Sequence, residues 1–99
     1  MPTYAMLGNY TEQGIRNIRQ GPQRVNAART AAKRFKGKLK QFYLALGAYD
    51  TLVILDFPDD AAAAAFAMAV GALGNIRTST VRLFSEAEFK HIVGGLPAR

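Results

Sequence analysis

Two apolar runs, Phe42-Tyr43-Leu44-Ala45-Leu46 and Thr51-Leu52-Val53-Ile54-Leu55, are separated only by Gly47-Ala48-Tyr49-Asp50. Glycine and aspartate in that position read as a turn between paired strands. A strand with one wet face alternates apolar with polar residues, and these two do not. In the first, Phe42, Leu44 and Leu46 point one way while Leu39, Tyr43 and Ala45 point the other. In the second, Val53, Leu55 and Phe57 share one face and Leu52 and Ile54 the opposite one. Both faces of the sheet therefore require cover. A chain of 99 residues has helices enough for one of them; the economical cover for the other is a second copy of the same sheet.

The flanking segments supply the remaining elements. Residues 3–10, rich in aromatic and apolar side chains, read as a strand. Residues 11–21 carry Gly14 and Gly21 and read as a loop, with a helical turn around Ile15 and Ile18. A helix starts near Pro22, which is tolerated in a first turn because its missing N–H would be unpaired there. Val25, Ala28, Ala32 and Phe35 recur at helical spacing as its buried stripe, with Arg29, Lys33 and Lys36 on the wet side. Gly37 is expected to end it as a left-handed cap. Asp59 is placed to cap a second helix whose buried edge is Phe66, Val70 and Leu73, ending at Gly74-Asn75. Ile76–Phe84 reads as a fourth strand. Ser85 with Glu88 has the capping-box spacing of a last short helix. Strand, helix, strand, strand, helix, strand is the split βαβ order of ferredoxin-like folds, an α+β class with a four-stranded antiparallel sheet, in one domain over residues 1–99.

Composition narrows the function classes. There is no cysteine, so neither disulfides nor thiolate chemistry is available. No signal peptide is expected from residues 1–10, no spanning helix from any window, and a soluble cytoplasmic protein follows as the expectation, with no membrane partner. The net charge of +6 is one-sided: nine basic residues and no acid lie between Arg16 and Lys40. Such a segment can attract nucleic acid or an acidic protein. A solvated helix face is the preferred reading of it, and nucleic acid is not the expected partner.

The stretch from Leu46-Gly47-Ala48-Tyr49-Asp50 through Ile76-Arg77-Thr78-Ser79-Thr80-Val81-Arg82-Leu83-Phe84 to Phe89 resembles the GYD family, named for a glycine-tyrosine-aspartate signature, and the resemblance extends over almost the whole chain, from Tyr4 onward. Here one residue, Ala48, follows the glycine. A similar pattern occurs in the ligand-sensing domain of AsnC-type transcription regulators, although no helix-turn-helix is expected before a strand that begins at residue 3. The resemblance implies a dimeric α+β barrel, two four-stranded sheets facing each other with helices outside. It implies fold and assembly rather than a reaction.

The turn residues have an architectural reading. Gly47 supplies backbone freedom, Tyr49 lays its ring against the sheet end or a partner with its hydroxyl wet, and Asp50 accepts N–H bonds in the turn. Tyr49 and Asp50 can also line a ligand site, since polar groups on loops of a rigid sheet often bind. The full candidate set is Tyr10, Thr11, Tyr43, Tyr49, Asp50, Arg77, Thr78 and Thr80, with Arg77 as the group that matches a carboxylate bidentately. Against it, the threonines suit strands in any case and Arg77 can pair with Asp50 or Asp56. The single histidine, His91, reads as a surface residue; Asp59, Asp60, Glu86 and Glu88 are explained by helix starts. No metal spacing and no phosphate loop is present, so no cofactor is expected. Three functions follow: a non-enzymatic homo-oligomer, a homodimer or larger, binding a small anionic or aromatic ligand; a cofactor-free monooxygenase- or isomerase-like enzyme of the barrel type; and a nucleic-acid or acidic-protein binder using residues 16–40. The first is the reading adopted. Whether the chain is an enzyme is left open.

Overall fold

The computed structural model describes residues 1–98. Along the chain run β1 (Thr3–Tyr10), α1 (Glu12–Arg16), a 3-10 turn (Ile18–Gln20), α2 (Gly21–Arg34), β2 (Lys38–Leu44), β3 (Thr51–Asp56), α3 (Asp60–Ala72), β4 (Ile76–Leu83) and α4 (Glu86–Gly94). The strands form one sheet in the order β2-β3-β1-β4, antiparallel at every junction. This is the α+β ferredoxin-like arrangement, with α1 and α4 as additions to the six-element frame.

Helices α2 and α3 lie on one face. Tyr4 and Met6 of β1, Leu39 of β2, and Leu55 and Phe57 of β3 and its end are buried there against Ala32, Ala63 and Phe66. Three aromatic rings meet at the centre, with Phe57 5.2 Å from Phe66 and 6.0 Å from Tyr4. Burying each such side chain contributes about 1.5–3 kcal/mol. Helix starts match the expected caps: Asp59 accepts from the Ala62 N–H at 2.9 Å, and Ser85 and Glu88 form a complete capping box.

Four expectations change. The faces of β2 are not those of a regular strand, because a bulge at Lys40 separates the Leu39–Leu55 pair from the Gln41–Ile54 pair. The extra residue shifts parity, so Leu39 shares the helix-covered face with Phe42, while Tyr43 alone of the three predicted partners faces out. The strand ends at Leu44, leaving Ala45 and a fully exposed Leu46 in the connection. The left-handed residue after α2 is Lys36, with φ 63°, and not Gly37. Gly37 is needed for space: a Cβ there would sit 2.4 Å from the Phe57 ring and 2.5 Å from the Asp56 carbonyl oxygen. Leu73, expected in the core, is the C-cap of α3 and is 69 % exposed.

The opposite face carries no element of this chain. Leu7 of β1, Leu52 and Ile54 of β3, Tyr43 of β2 and Val81 and Leu83 of β4 project there by register. Tyr43 is 48 % and Val81 41 % exposed. Polar residues reach this face too: Thr3 and Asp56, whose side chains share a 2.8 Å hydrogen bond, and by register Asn9, Lys38, Gln41, Arg77 and Ser79.

Candidate functional site

Alanine at positions 27, 28 and 31 of α2 and 69 of α3 leaves the two helices thin where they face each other, and a cleft opens between them. Its volume is about 330 Å³. The floor is the sheet, with Met6, Tyr10, Leu39, Phe42, Thr51, Val53, Ile76 and Thr78; the walls include Val25, Ala28 and Ala31 on one side and Phe66, Val70 and Leu73 on the other. The small alanines make the room, and the exposed Leu73 forms part of a wall.

Two arginines and no acid belong to this lining. Arg24 is in the first turns of α2 and Arg34 in the last, roughly 15 Å apart at about 1.5 Å per residue. Arg24 is half-buried and donates to the carbonyl oxygens of Asn17 and, at 3.5 Å, of Gly14. These bonds hold the guanidinium in place without neutralising it. Near it lies Tyr10, whose hydroxyl is pushed up from its ordinary value chiefly by burial; Asp50 adds to the shift and the Arg24 charge opposes it. The phenol therefore stays protonated and offers a hydrogen-bond donor beside a fixed cation.

Of the eight predicted residues, the fold brings only Tyr10 and Thr78 to this cleft. Thr11 caps α1, accepting from the Gly14 N–H at 3.1 Å, and donates to the Gly74 carbonyl at 2.6 Å. Thr80 shares the helix-side register with Met6 yet is exposed. Arg77 pairs with Asn9 on the opposite face, so Arg77 and the threonines that follow it on β4, Thr78 and Thr80, cannot converge on one ligand. Tyr43 lies on the open face and Tyr49, 38 % exposed, in the hairpin. Asp50 does accept an N–H bond, but across the sheet: its carboxylate takes the Tyr10 N–H at 2.9 Å. Its own N–H donates to Gly8 at 2.8 Å, and the Asn9 side chain donates to the Ala48 carbonyl at 2.9 Å. Pairing of β1 with β3 stops at Gly8–Thr51, and the hairpin completes it for two further residues. Gly47, at φ 124°, lets the chain fold back to do so.

The arginines of the cleft were hidden in the sequence within a run of nine basic residues. A signal existed: Arg24 lies one residue before Val25 and Arg34 three after Ala31, so both border the apolar stripe of α2. Arg29 and Lys33 are exposed, as expected. His91 is exposed on α4, far from Tyr10 and Arg24 in the sequence and absent from the cleft lining. Among the described residues no group of three or more His, Asp or Glu could hold a metal ion, and no helix is long and apolar enough to cross a membrane.

A family model described as GYD domain matches residues 4–93, nearly the whole chain. No curated protein and no solved structure matches it.

Proposed function

The chain belongs to the GYD-domain family, and from that premise we propose that it is a non-enzymatic binder of a small apolar molecule with an anionic head, acting as a homodimer. The observation that carries this is the acid-free cleft between α2 and α3 with Arg24 fixed at one end. At roughly 30 Å³ per water-sized group, the volume suits about ten to a dozen non-hydrogen atoms, and pockets of this size and apolarity suit small ligands. A guanidinium held by backbone carbonyls, beside a protonated phenol, prefers a carboxylate head. The dimer is the one implied by the apolar open face of the sheet, covered by the same face of a second copy.

The cofactor-free-enzyme reading asks for a base inside an apolar cavity. The cleft lining has no histidine or carboxylate, and the upward shift of Tyr10 suits donation rather than proton abstraction. Binding is tested by titrating decanoate into the isotope-labelled protein, with decanol as the uncharged control. Decanoate is expected to move the amide resonances of α2, α3 and β1, and to bind several-fold tighter than decanol. Arg24→Met should remove that preference while leaving decanol unaffected. Equal binding of acid and alcohol, or shifts outside the cleft, would overturn the reading.

A further inference from the structure

One polar side chain is almost sealed inside the molecule and has no partner in it. Thr51, at the start of β3, is 2 % exposed, the one polar residue among the buried ones described. The half-buried Thr3 and Thr11 each donate a hydrogen bond, to Asp56 at 2.8 Å and to the Gly74 carbonyl at 2.6 Å. The Thr51 hydroxyl makes none with the described residues. Every fully sealed side-chain oxygen and nitrogen among them has a partner, so the access of this hydroxyl is through the cleft that it lines.

Its direction is tied to Gly8. Register places Gly8 beside Thr51 on the helix-covered side of the sheet. A Cβ at Gly8 would stand 2.6 Å from the Thr51 Oγ1 and 2.5 Å from the Ile76 Cδ1. The hydroxyl therefore leans over β1, into the space that the missing side chain leaves on the floor of the cleft. Its surroundings there are apolar: Ile76 beyond Gly8, and Val53 and Met6 one row up the sheet.

Packing does not ask for a threonine at this position. Valine has nearly the same outline, suits a strand as well, and buries no group that must be paired. A hydroxyl withdrawn from water and left unpaired works against the fold. A bound molecule that supplies the missing partner accounts for it.

We propose that the cleft selects acids carrying a hydroxyl group in mid-chain, and that Thr51 is the residue that determines this specificity. This rests on the binder reading above and narrows its ligand. A threonine hydroxyl both donates and accepts, so a ligand hydroxyl satisfies it in either sense, whereas a methylene group leaves it unpaired. The sheet sets the position along the ligand. Tyr10, beside the Arg24 cation, lies two residues beyond Gly8 on the same face of β1, and Thr51 lies one strand across. At about 3.3 Å per residue and about 4.8 Å between strands, the two sites are roughly 8 Å apart. A carboxylate held at Arg24 and Tyr10 thus brings the middle of a ten-carbon chain, rather than its tail, to Thr51.

The test is calorimetric titration of the full chain and of its Thr51→Val variant with decanoate, 6-hydroxydecanoate and 10-hydroxydecanoate, alongside urea unfolding of both free proteins. The mid-chain hydroxyl is expected to tighten binding about three- to tenfold over decanoate, the range of one neutral hydrogen bond, and the terminal hydroxyl to add nothing. Thr51→Val should remove the preference, while the free variant unfolds at a urea concentration no lower than the unmodified chain does. Equal binding of decanoate and 6-hydroxydecanoate, an equal gain from the terminal hydroxyl, or a preference that survives the substitution overturns the selectivity and leaves the carboxylate binder standing. A free variant that unfolds at clearly lower urea overturns it as well, because the hydroxyl would then be bonded within the chain. Failure of all three acids to bind overturns the binder reading itself, and the selectivity with it.

Discussion

Tyr4, Met6, Leu55 and Phe57, on one side of the sheet, are 4 % exposed or less, while Leu7, Leu52 and Ile54, which alternate with them, remain half-buried. The same two strands and the same chemistry supply both sets. What differs is cover: α2 and α3 lie on the first face and nothing from this chain lies on the second. Apolar pattern therefore assigns a residue to a face, whereas its energetic weight depends on what reaches that face. Polar pairs follow the same division. Tyr4 donates to Asp60 at 2.5 Å beneath α3, and Thr3 donates to Asp56 at 2.8 Å on the open side.

The largest effect expected from this contrast is on the core. Phe57→Ala should destabilise the fold by about 3–5 kcal/mol, from lost burial and the cavity left behind. Ile54→Ala, measured by urea unfolding at a concentration where the chain is monomeric, should lose less, about 2 kcal/mol, since part of its area stays in water. Equal losses would mean that the open face is packed as tightly within one chain as the covered one, and the contrast would break.

Next in size is a pH effect confined to the covered face. Burial first, then the bond to Asp60, push the Tyr4 hydroxyl up from 10 to about 12. The folded chain holds this proton more tightly than the unfolded one does. That stabilisation is complete below pH 10 and is lost as the pH rises from 10 towards 12, for a total on the order of 2–3 kcal/mol. Unfolding free energy followed across that window should fall steeply, and Tyr4→Phe should flatten most of the slope. A slope that survives the substitution would assign it to another group.

The smallest effect belongs to the open face. Thr3→Val removes one partly exposed hydrogen bond and should cost about 0.5–1 kcal/mol by the same unfolding measurement. A loss well above that range in the monomer would show Asp56 to be stranded without solvent, contrary to its setting beside Lys40 at 3.7 Å.

Much of the frame was readable in the residues. The turn at Gly47, the caps at Asp59 and Ser85, and the two apolar faces of β3 are local signals, each resting on a few neighbouring side chains. Where sequence reasoning failed, the deciding contact was distant. The bulge at Lys40 depends on how β2 pairs with β3, and no strand records its partner's register in its own pattern. Gly37 is set by the Phe57 ring across the core. Arg24 and Arg34 looked like members of a solvated basic run, and only the spacing of two thin helices turns them toward a cavity. Arg77 and Thr78 are adjacent in sequence, so they were grouped, yet period-2 geometry sends them to opposite faces.

The sequence by itself determined the order of elements, the family and the face on which most strand residues lie. These follow from periodicity and from propensities that act over a few residues. The tertiary structure alone decided where the cleft opens, which of thirteen basic side chains border it, and that α4 is left with no buried residue. Those outcomes depend on the distances between packed elements, and such distances arise from the summed volumes of side chains far apart in the chain.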